Sequence, residues 1–248
     1  MENRLFDYMN KRIGGDFIPS DFIKEAGPVI TISRQTGCGA RGIAWEICEE
    51  LNKPSVKTDR NDDKKEPSVK TDGNGKWKYI SREILQESAE QLNLDPEALK
   101  HVIDDKNRGM MDQIVSALST HSHKSDQKIM KTVQDVIRQF ANNGKVIIIG
   151  RGGASICRDI KHSLHVRLVA PVDWRIAEIA RRLDFSKAYA TEYVKKRDEE
   201  RELLITKLLG KKPDSSAYDV ELNRSRFTEK ELAGAIINLA QIKGLIRT

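Results

Sequence analysis

Gly37, Gly39 and Gly42 fall close together in Ser33-Arg34-Gln35-Thr36-Gly37-Cys38-Gly39-Ala40-Arg41-Gly42. Glycines spaced this way let the chain turn tightly and aim several backbone N–H groups at one point. A helix beginning there adds the positive end of its dipole. That combination holds an anion, and the usual anion is a phosphate. The stretch departs from the phosphate-loop pattern G-x-x-x-x-G-K-[ST]. Gly39 fits its second glycine, but Arg34 holds the place of the first, Ala40 that of the lysine and Arg41 that of the hydroxyl residue. Glycine turns before helices also occur for packing alone, so the flanking elements have to decide.

The flanks supply a strand and a helix. Val29, Ile30 and Ile32 form the continuous apolar run of a strand buried in a parallel sheet. Past the turn, Ile43, Ile47 and Leu51 recur on one side of a helix that ends near Asn52. Cys38, between two of the glycines, has two readings. A helix dipole would lower its thiol pKa and make nucleotide binding sensitive to oxidants. Alternatively it is a small residue filling a tight turn, and this plainer reading takes precedence.

A chain of 248 residues buries enough surface for one α/β domain with inserted segments. Charged residues make up 32% against 38% hydrophobic, which describes a soluble protein with long charged helices. The net charge of +6 suits a polyanionic ligand, but the positive charge is mixed with 37 acids rather than gathered in a block. Cys38, Cys48 and Cys157 are too few and too scattered for a disulfide framework or a zinc site. No apolar run approaches the roughly 18 residues of a membrane span, and the N-terminus lacks the form of a signal peptide. The expectation is a reducing cytoplasm with no membrane partner.

Residues 1–27 read as an N-terminal extension, with a short amphipathic helix through Leu5, Phe6 and Met9. Residues 53–76 read as a flexible polar insertion. In it Pro54-Ser55-Val56-Lys57-Thr58-Asp59 recurs as Pro67-Ser68-Val69-Lys70-Thr71-Asp72, a duplication too short for a repeat array. Trp77–Ile80 reads as a strand, Arg82–Leu92 as a helix, and 94–107 and 109–118 as two more. His121 and His123 fall in a polar break and find no further metal ligands. A long helix over Gln127–Ala141 leads to the strongest strand signal, Lys145–Ile149. Leu164–Val169 follows as a strand, then a helix for which Asp173 is a candidate cap, then a helix from Ser186 to about Leu209. Tyr218–Leu222 is the last strand. The final helix, Thr228–Leu239, opens with a capping box of Thr228 and Glu231. Strands alternating with helices imply a parallel sheet covered on both faces.

The order of these motifs resembles the cytidylate kinase-like family of P-loop nucleoside monophosphate kinases, over residues 28–53 and 77–240. The resemblance is carried by Ile32–Ala44 and by Ser81-Arg82-Glu83-Ile84-Leu85. It continues in Val146–Gly152, Leu164–Pro171, Arg197-Asp198-Glu199-Glu200-Arg201 and Tyr218–Asn223. It implies a three-layer P-loop fold over 28–248, with a five-stranded parallel sheet. It also implies a helical region binding a nucleoside monophosphate at about 77–126 and a short lid at about 173–210. The implied reaction moves the γ-phosphoryl of ATP, with Mg2+, onto CMP or a related (deoxy)nucleoside monophosphate. Such chemistry asks a protein for in-line positioning and positive charge rather than covalent steps. Arg34, Arg41, Arg82, Arg151, Arg175, Arg181, Arg182, Arg197 and Arg201 lie at or near the motifs, and their planar forks suit phosphate oxygens.

On this resemblance the donor nucleotide falls to Arg34, Thr36, Gly37, Cys38, Gly39, Ala40, Arg41 and Gly42, with Arg41 replacing the charge of the missing lysine. Ser81, Arg82, Arg151, Arg197, Asp198 and Arg201 fall to the acceptor. Arg41, Arg151, Arg181, Arg182 and Asp198 fall to catalysis, Arg181 and Arg182 closing from the lid. No residue is assigned to a metal. The chain departs from the family at Ala40, at Ser81 where aspartate is common, and at Ile149 and Gly152, which replace acids flanking the Gly-Arg pair. These departures, with the extra segments 1–27 and 53–76, motivate a second reading, a nucleotide-binding regulatory or interaction module with little turnover, which ranks after the kinase. A third, nucleic-acid binding, ranks last because aromatics are only 6% and do not interleave with the basic residues. A homo-oligomer stays open.

Overall fold

A computed structural model describes residues 27–53, 75–81, 84, 126–210 and 214–246. The expected N-terminal helix, the duplicated segment, the helices proposed between 85 and 118, and Arg82, His121 and His123 lie outside the described residues. In chain order the elements are β1 (Val29–Arg34), α1 (Ala40–Leu51), β2 (Lys78–Ile80), α2 (Asp126–Asn143) and β3 (Val146–Ile149). There follow α3 (Gly153–Ile156), β4 (Ser163–Val169), α4 (Val172–Leu183), α5 (Lys187–Leu209), β5 (Val220–Asn223) and α6 (Glu229–Ile242).

The five strands form one parallel sheet in the order β2-β3-β1-β4-β5. The apolar runs put β1 and β3 in its interior, where Ile30 pairs with Ile147 and Ile32 with Ile149. β4 flanks β1 on the other side, Ile32 facing Val166. Both faces are covered. Ile43 and Ile47 of α1 and Leu232 and Ile236 of α6 pack on Ile30, Ile32, Ile147 and Val166. Val136 and Ile137 of α2 and Ile156 of α3 pack on Val29, Val146 and Ile148 from below. Each such buried aliphatic side chain contributes about 1.5–3 kcal/mol. Two-sided burial explains why β1 and β3 carry apolar runs rather than alternation. α4 and α5 form a hairpin closed by Ile176, Ile179, Ala190 and Val194. No helix among the described residues is long and apolar enough to cross a membrane.

Local signals set most of the boundaries. Ser186 caps α5 through the Tyr189 N–H, and Thr228 with Glu231 makes a reciprocal capping box on α6. Asp173 is not a cap. Pro171 occupies the N-cap position, its carbonyl accepts from the Arg175 N–H, and Asp173 falls inside the first turn of α4. The last strand begins later than Tyr218, because Tyr218 closes a short 3-10 turn onto Ser215 and Asp219 is engaged with the His165 backbone.

The sheet order has a consequence for function. β1 sits between β3 and β4, so the chain leaves the C-terminal ends of neighbouring strands in different directions. A crevice opens where they part, which is where open α/β sheets bind ligands. The glycine turn after β1, Gly150-Arg151-Gly152 after β3 and Ala170-Pro171 after β4 all meet this edge.

Candidate phosphate-binding site

The turn between β1 and α1 depends on glycine at two positions. Gly37 has φ +94° and Gly39 has φ +67°, both in the left-handed region. Gly39 is also the N-cap of α1, and no side chain caps the helix or places an acid in its first turn. Gly42 and Ile43 bond back to the Gly39 carbonyl. The N–H groups of Gly37, Gly39, Ala40 and Arg41 have no hydrogen-bond partner among the described residues. Open donors thus gather at the positive end of a 12-residue helix, which is the cradle a phosphate requires.

Beside the cradle lies an ion cluster built from three elements. The Asp198 carboxylate, on α5, accepts from the Thr36 N–H at 2.8 Å and from the Thr36 hydroxyl at 2.7 Å. Arg201 Nη1 donates to the same oxygen at 2.9 Å and to the Thr36 Oγ1 at 2.9 Å. Arg175 Nη1, on α4, donates to the other carboxylate oxygen at 2.6 Å. Arg175 also ties down the backbone, through Nε to the Ala170 carbonyl at 3.1 Å and Nη1 to the Thr36 carbonyl at 3.4 Å. A Cβ on Gly37 would press on the Arg175 backbone at 3.1–3.2 Å, so turn and helix are in close contact. Burial pushes the Arg201 guanidinium below its ordinary range, and the neighbouring Asp198 charge works against that shift.

A second group flanks the cradle on the α6 side. A Cβ on Gly42 would run into the Glu229 carboxylate, and one on Gly39 would come within 2.6 Å of Glu229 Oε1 and 3.6 Å of Arg182 Nη1. Gly42 is therefore small to admit Glu229. Arg224 approaches Glu229 at 3.6 Å and lies over the Trp174 ring at 5.5 Å. At the end of β3, Gly150, Arg151 and Gly152 are consecutively left-handed, with φ of 73°, 55° and 70°. Arg34 fills the space over Gly150 that a Cβ would take. A non-glycine residue held this way stores about 1–3 kcal/mol of strain, a cost seen mostly at functional sites.

The structure draws some of the expected site residues together and not others. Thr36, Gly37, Gly39, Asp198 and Arg201 converge, and Arg182 reaches the turn. Arg34 and Arg151 stand at the adjacent strand ends, and Ser81 sits half-buried just after β2. Arg41 is exposed and without an ion pair among the described residues, and Ala40 is buried. Arg181 points to solvent, 72% exposed and paired with Glu178. Arg197 turns to Glu200 and the Tyr193 ring on its own helix. The activated-thiol reading of Cys38 is overturned: the residue is fully buried, and desolvation pushes its pKa up to about 11. Among the described residues no group of three or more His, Cys, Asp or Glu is placed to hold a metal.

Arg175, Glu229 and Arg224 are the participants that sequence reasoning assigned no role. Only Arg175 left a usable trace. It shares one helical stripe with Ile176 and Ile179, and an arginine on an apolar stripe points to a buried guanidinium with partners.

Taken together, a five-stranded parallel sheet between helical layers, with a glycine turn at the switch-point edge, is a three-layer α/β fold consistent with a P-loop-like fold. The family model described as the cytidylate kinase-like family matches residues 75–226, more than half of the chain, and this protein belongs to that family. No curated protein matches. Among solved structures, the chain is similar to an uncharacterized protein from Eubacterium ventriosum, with TM-score 0.56 and 18% sequence identity. That match covers 86% of this chain and 98% of the other, and supports the fold.

Proposed function

We propose that the protein is a nucleotide kinase that moves the γ-phosphoryl group of ATP onto CMP or a related nucleoside monophosphate. The observation that carries this reading is the set of open N–H groups at the α1 N-terminus beside two arginines, Arg175 and Arg201, on a shared carboxylate. The residues fit ATP as donor: the cradle takes the phosphates, and Arg182 lies over the turn to cover them. Arg151, at the strained end of β3, and Arg201 hold the acceptor phosphate in line. Phosphoryl transfer needs this positioning and charge and little else from the protein. Mg2+ enters with the ATP phosphates, since neither a hydroxyl nor a carboxylate lies in the first turn of α1. The buried thiols of Cys38, Cys48 and Cys157 suit work in the cytoplasm.

A second reading, a module that binds nucleotide with little turnover, is favoured by one observation. The lysine position holds buried Ala40, and Arg41 beside it faces solvent, so no side chain in the first turn of α1 brings charge to the transferring group. The two readings separate in one assay: ADP production from ATP and Mg2+ with a panel of nucleoside monophosphates, beside Arg151→Ala and Arg201→Ala. The kinase reading expects turnover with one acceptor class and a loss of about a hundredfold or more in each variant. ATP binding without turnover on any acceptor would leave the module.

A further inference from the structure

Asp198 has the surroundings of a bound anion rather than those of an ordinary surface ion pair. Its two oxygens receive a backbone N–H, a hydroxyl and two guanidinium groups. The same donor set would suit a phosphoryl oxygen. The charges do not balance: Arg175 and Arg201 bring two positive charges and Asp198 one negative, so the cluster carries an excess of one positive charge. A dianionic phosphate would neutralise it; a carboxylate does not. The members also differ in how firmly they are held. The Arg175 side chain is 8% exposed and fixed by two backbone carbonyls, and Thr36 is buried in the turn. Asp198 is 30% exposed, on a helix that meets the turn through polar contacts with Thr36.

We propose that Asp198 is a resident anion in an exchangeable phosphate site formed by Thr36, Arg175 and Arg201, and that an incoming phosphoryl group displaces it. The inference rests on the kinase reading for its biological ligand but not for its chemistry, which inorganic phosphate alone can probe. Displacement couples the site to α5. As the phosphate takes the Thr36 N–H and the two guanidinium groups, the Asp198 side chain leaves the turn, while Arg201 on the same helix stays with the ligand and holds α5 against it. Asp198 is thus a positioning residue that keeps the arginines aimed while no ligand is bound, and its own charge sets how tightly a phosphate can enter.

The test is titration of the full chain with inorganic phosphate at constant ionic strength, chloride serving as control, followed by calorimetry and by thermal unfolding. Asp198→Asn keeps the shape and removes the competing charge. Its expected result is phosphate affinity raised about tenfold over wild type, with a melting temperature lowered in chloride and recovered in phosphate. Equal affinity in the two proteins, or recovery by chloride as complete as by phosphate, would overturn the proposal. If the variant does not fold, the wild-type protein decides. The carbon-13 carboxyl resonance of Asp198 must shift as phosphate saturates, and an unchanged resonance at saturation would mean a structural ion pair only. Failure of the kinase reading would show separately, as wild-type protein that exchanges phosphate here yet forms no ADP.

Discussion

Gly37 and Gly42 look interchangeable in the sequence, and the structure gives them different work. Gly37 holds φ +94° with the Arg175 backbone at 3.1–3.2 Å from any Cβ, so no rotamer change relieves a side chain there. Gly42 is helical, and its obstruction is the far end of the flexible Glu229 side chain. Gly37→Ala should therefore cost about 1–3 kcal/mol of stability and weaken nucleotide binding as the turn opens. Gly42→Ala gains helix propensity of about 1 kcal/mol, which offsets the displacement of Glu229, and its stability should stay near wild type. Urea unfolding of the two variants checks this; equal losses would mean that the turn geometry is not what Gly37 supplies. The glycine signal itself was legible because spacing is local. Which glycine serves the turn and which makes room for a carboxylate from residue 229 was not, because that depends on α6 packing along α1. Arg175 shows the same divide: its place in the stripe of Ile176 and Ile179 is written in α4, its partners Thr36 and Asp198 are not.

At the scale of elements, the ones that carry their own signals came through. β1 and β3 have apolar runs, β4 alternates Leu164, Val166 and Leu168 with polar residues, α5 and α6 have caps at Ser186 and Thr228, and α2 shows its face through Val133, Val136 and Ile137. What β4 hides is a histidine. His165 is buried between Thr31 on β1, at 2.9 Å from Nδ1, and Ser163, at 3.0 Å from Nε2. The Ser163 hydroxyl donates to the Ile160 carbonyl at 2.6 Å, so its oxygen accepts from Nε2–H and leaves Nδ1 to accept from Thr31. Burial disfavours the charged form of the ring. Desolvation lowers its pKa from the ordinary 6.5, more than the nearby Asp219 charge raises it, while Lys243 and Arg158 lower it further. The folded state thus refuses a proton that the unfolded chain accepts below that value. Stability is unaffected by this group above pH 6.5 and falls as pH drops through 6.5 toward the depressed folded value. Between about pH 7.5 and about pH 5 the melting temperature of wild type should fall more steeply than that of His165→Gln, which has no proton to take up. Parallel slopes would show that His165 titrates alike in both states.

At the scale of the whole molecule, the site draws together residues that the chain keeps far apart. Thr36 meets Asp198 across 162 positions, and Glu229 lies against Gly39 and Gly42. No periodicity records such meetings; they follow from the order β2-β3-β1-β4-β5, which puts the turn after β1 next to the helices that follow β4 and β5. A ligand in the cradle would for that reason tie α1, α4 and α5 together, and its effect should be felt along the whole C-terminal edge of the sheet. ATP with Mg2+ at about a hundred times its dissociation constant adds about 2.7 kcal/mol to the folded state, a rise of about 5–10 °C in melting temperature for a chain of this size. Amide exchange should slow at the first turn of α1 and along α5, and stay unchanged in α2, which packs on the opposite face of the sheet from α1. Adding the acceptor nucleotide should give a second, separate rise, because Arg151 stands on the β3 side of the crevice, opposite the α6 side. A rise with ATP and no further rise with any monophosphate would assign the arginines to one nucleotide that is held and not converted. Protection confined to α2 would place the ligand on the face of the sheet opposite α1, where the glycine turn has no part in binding it.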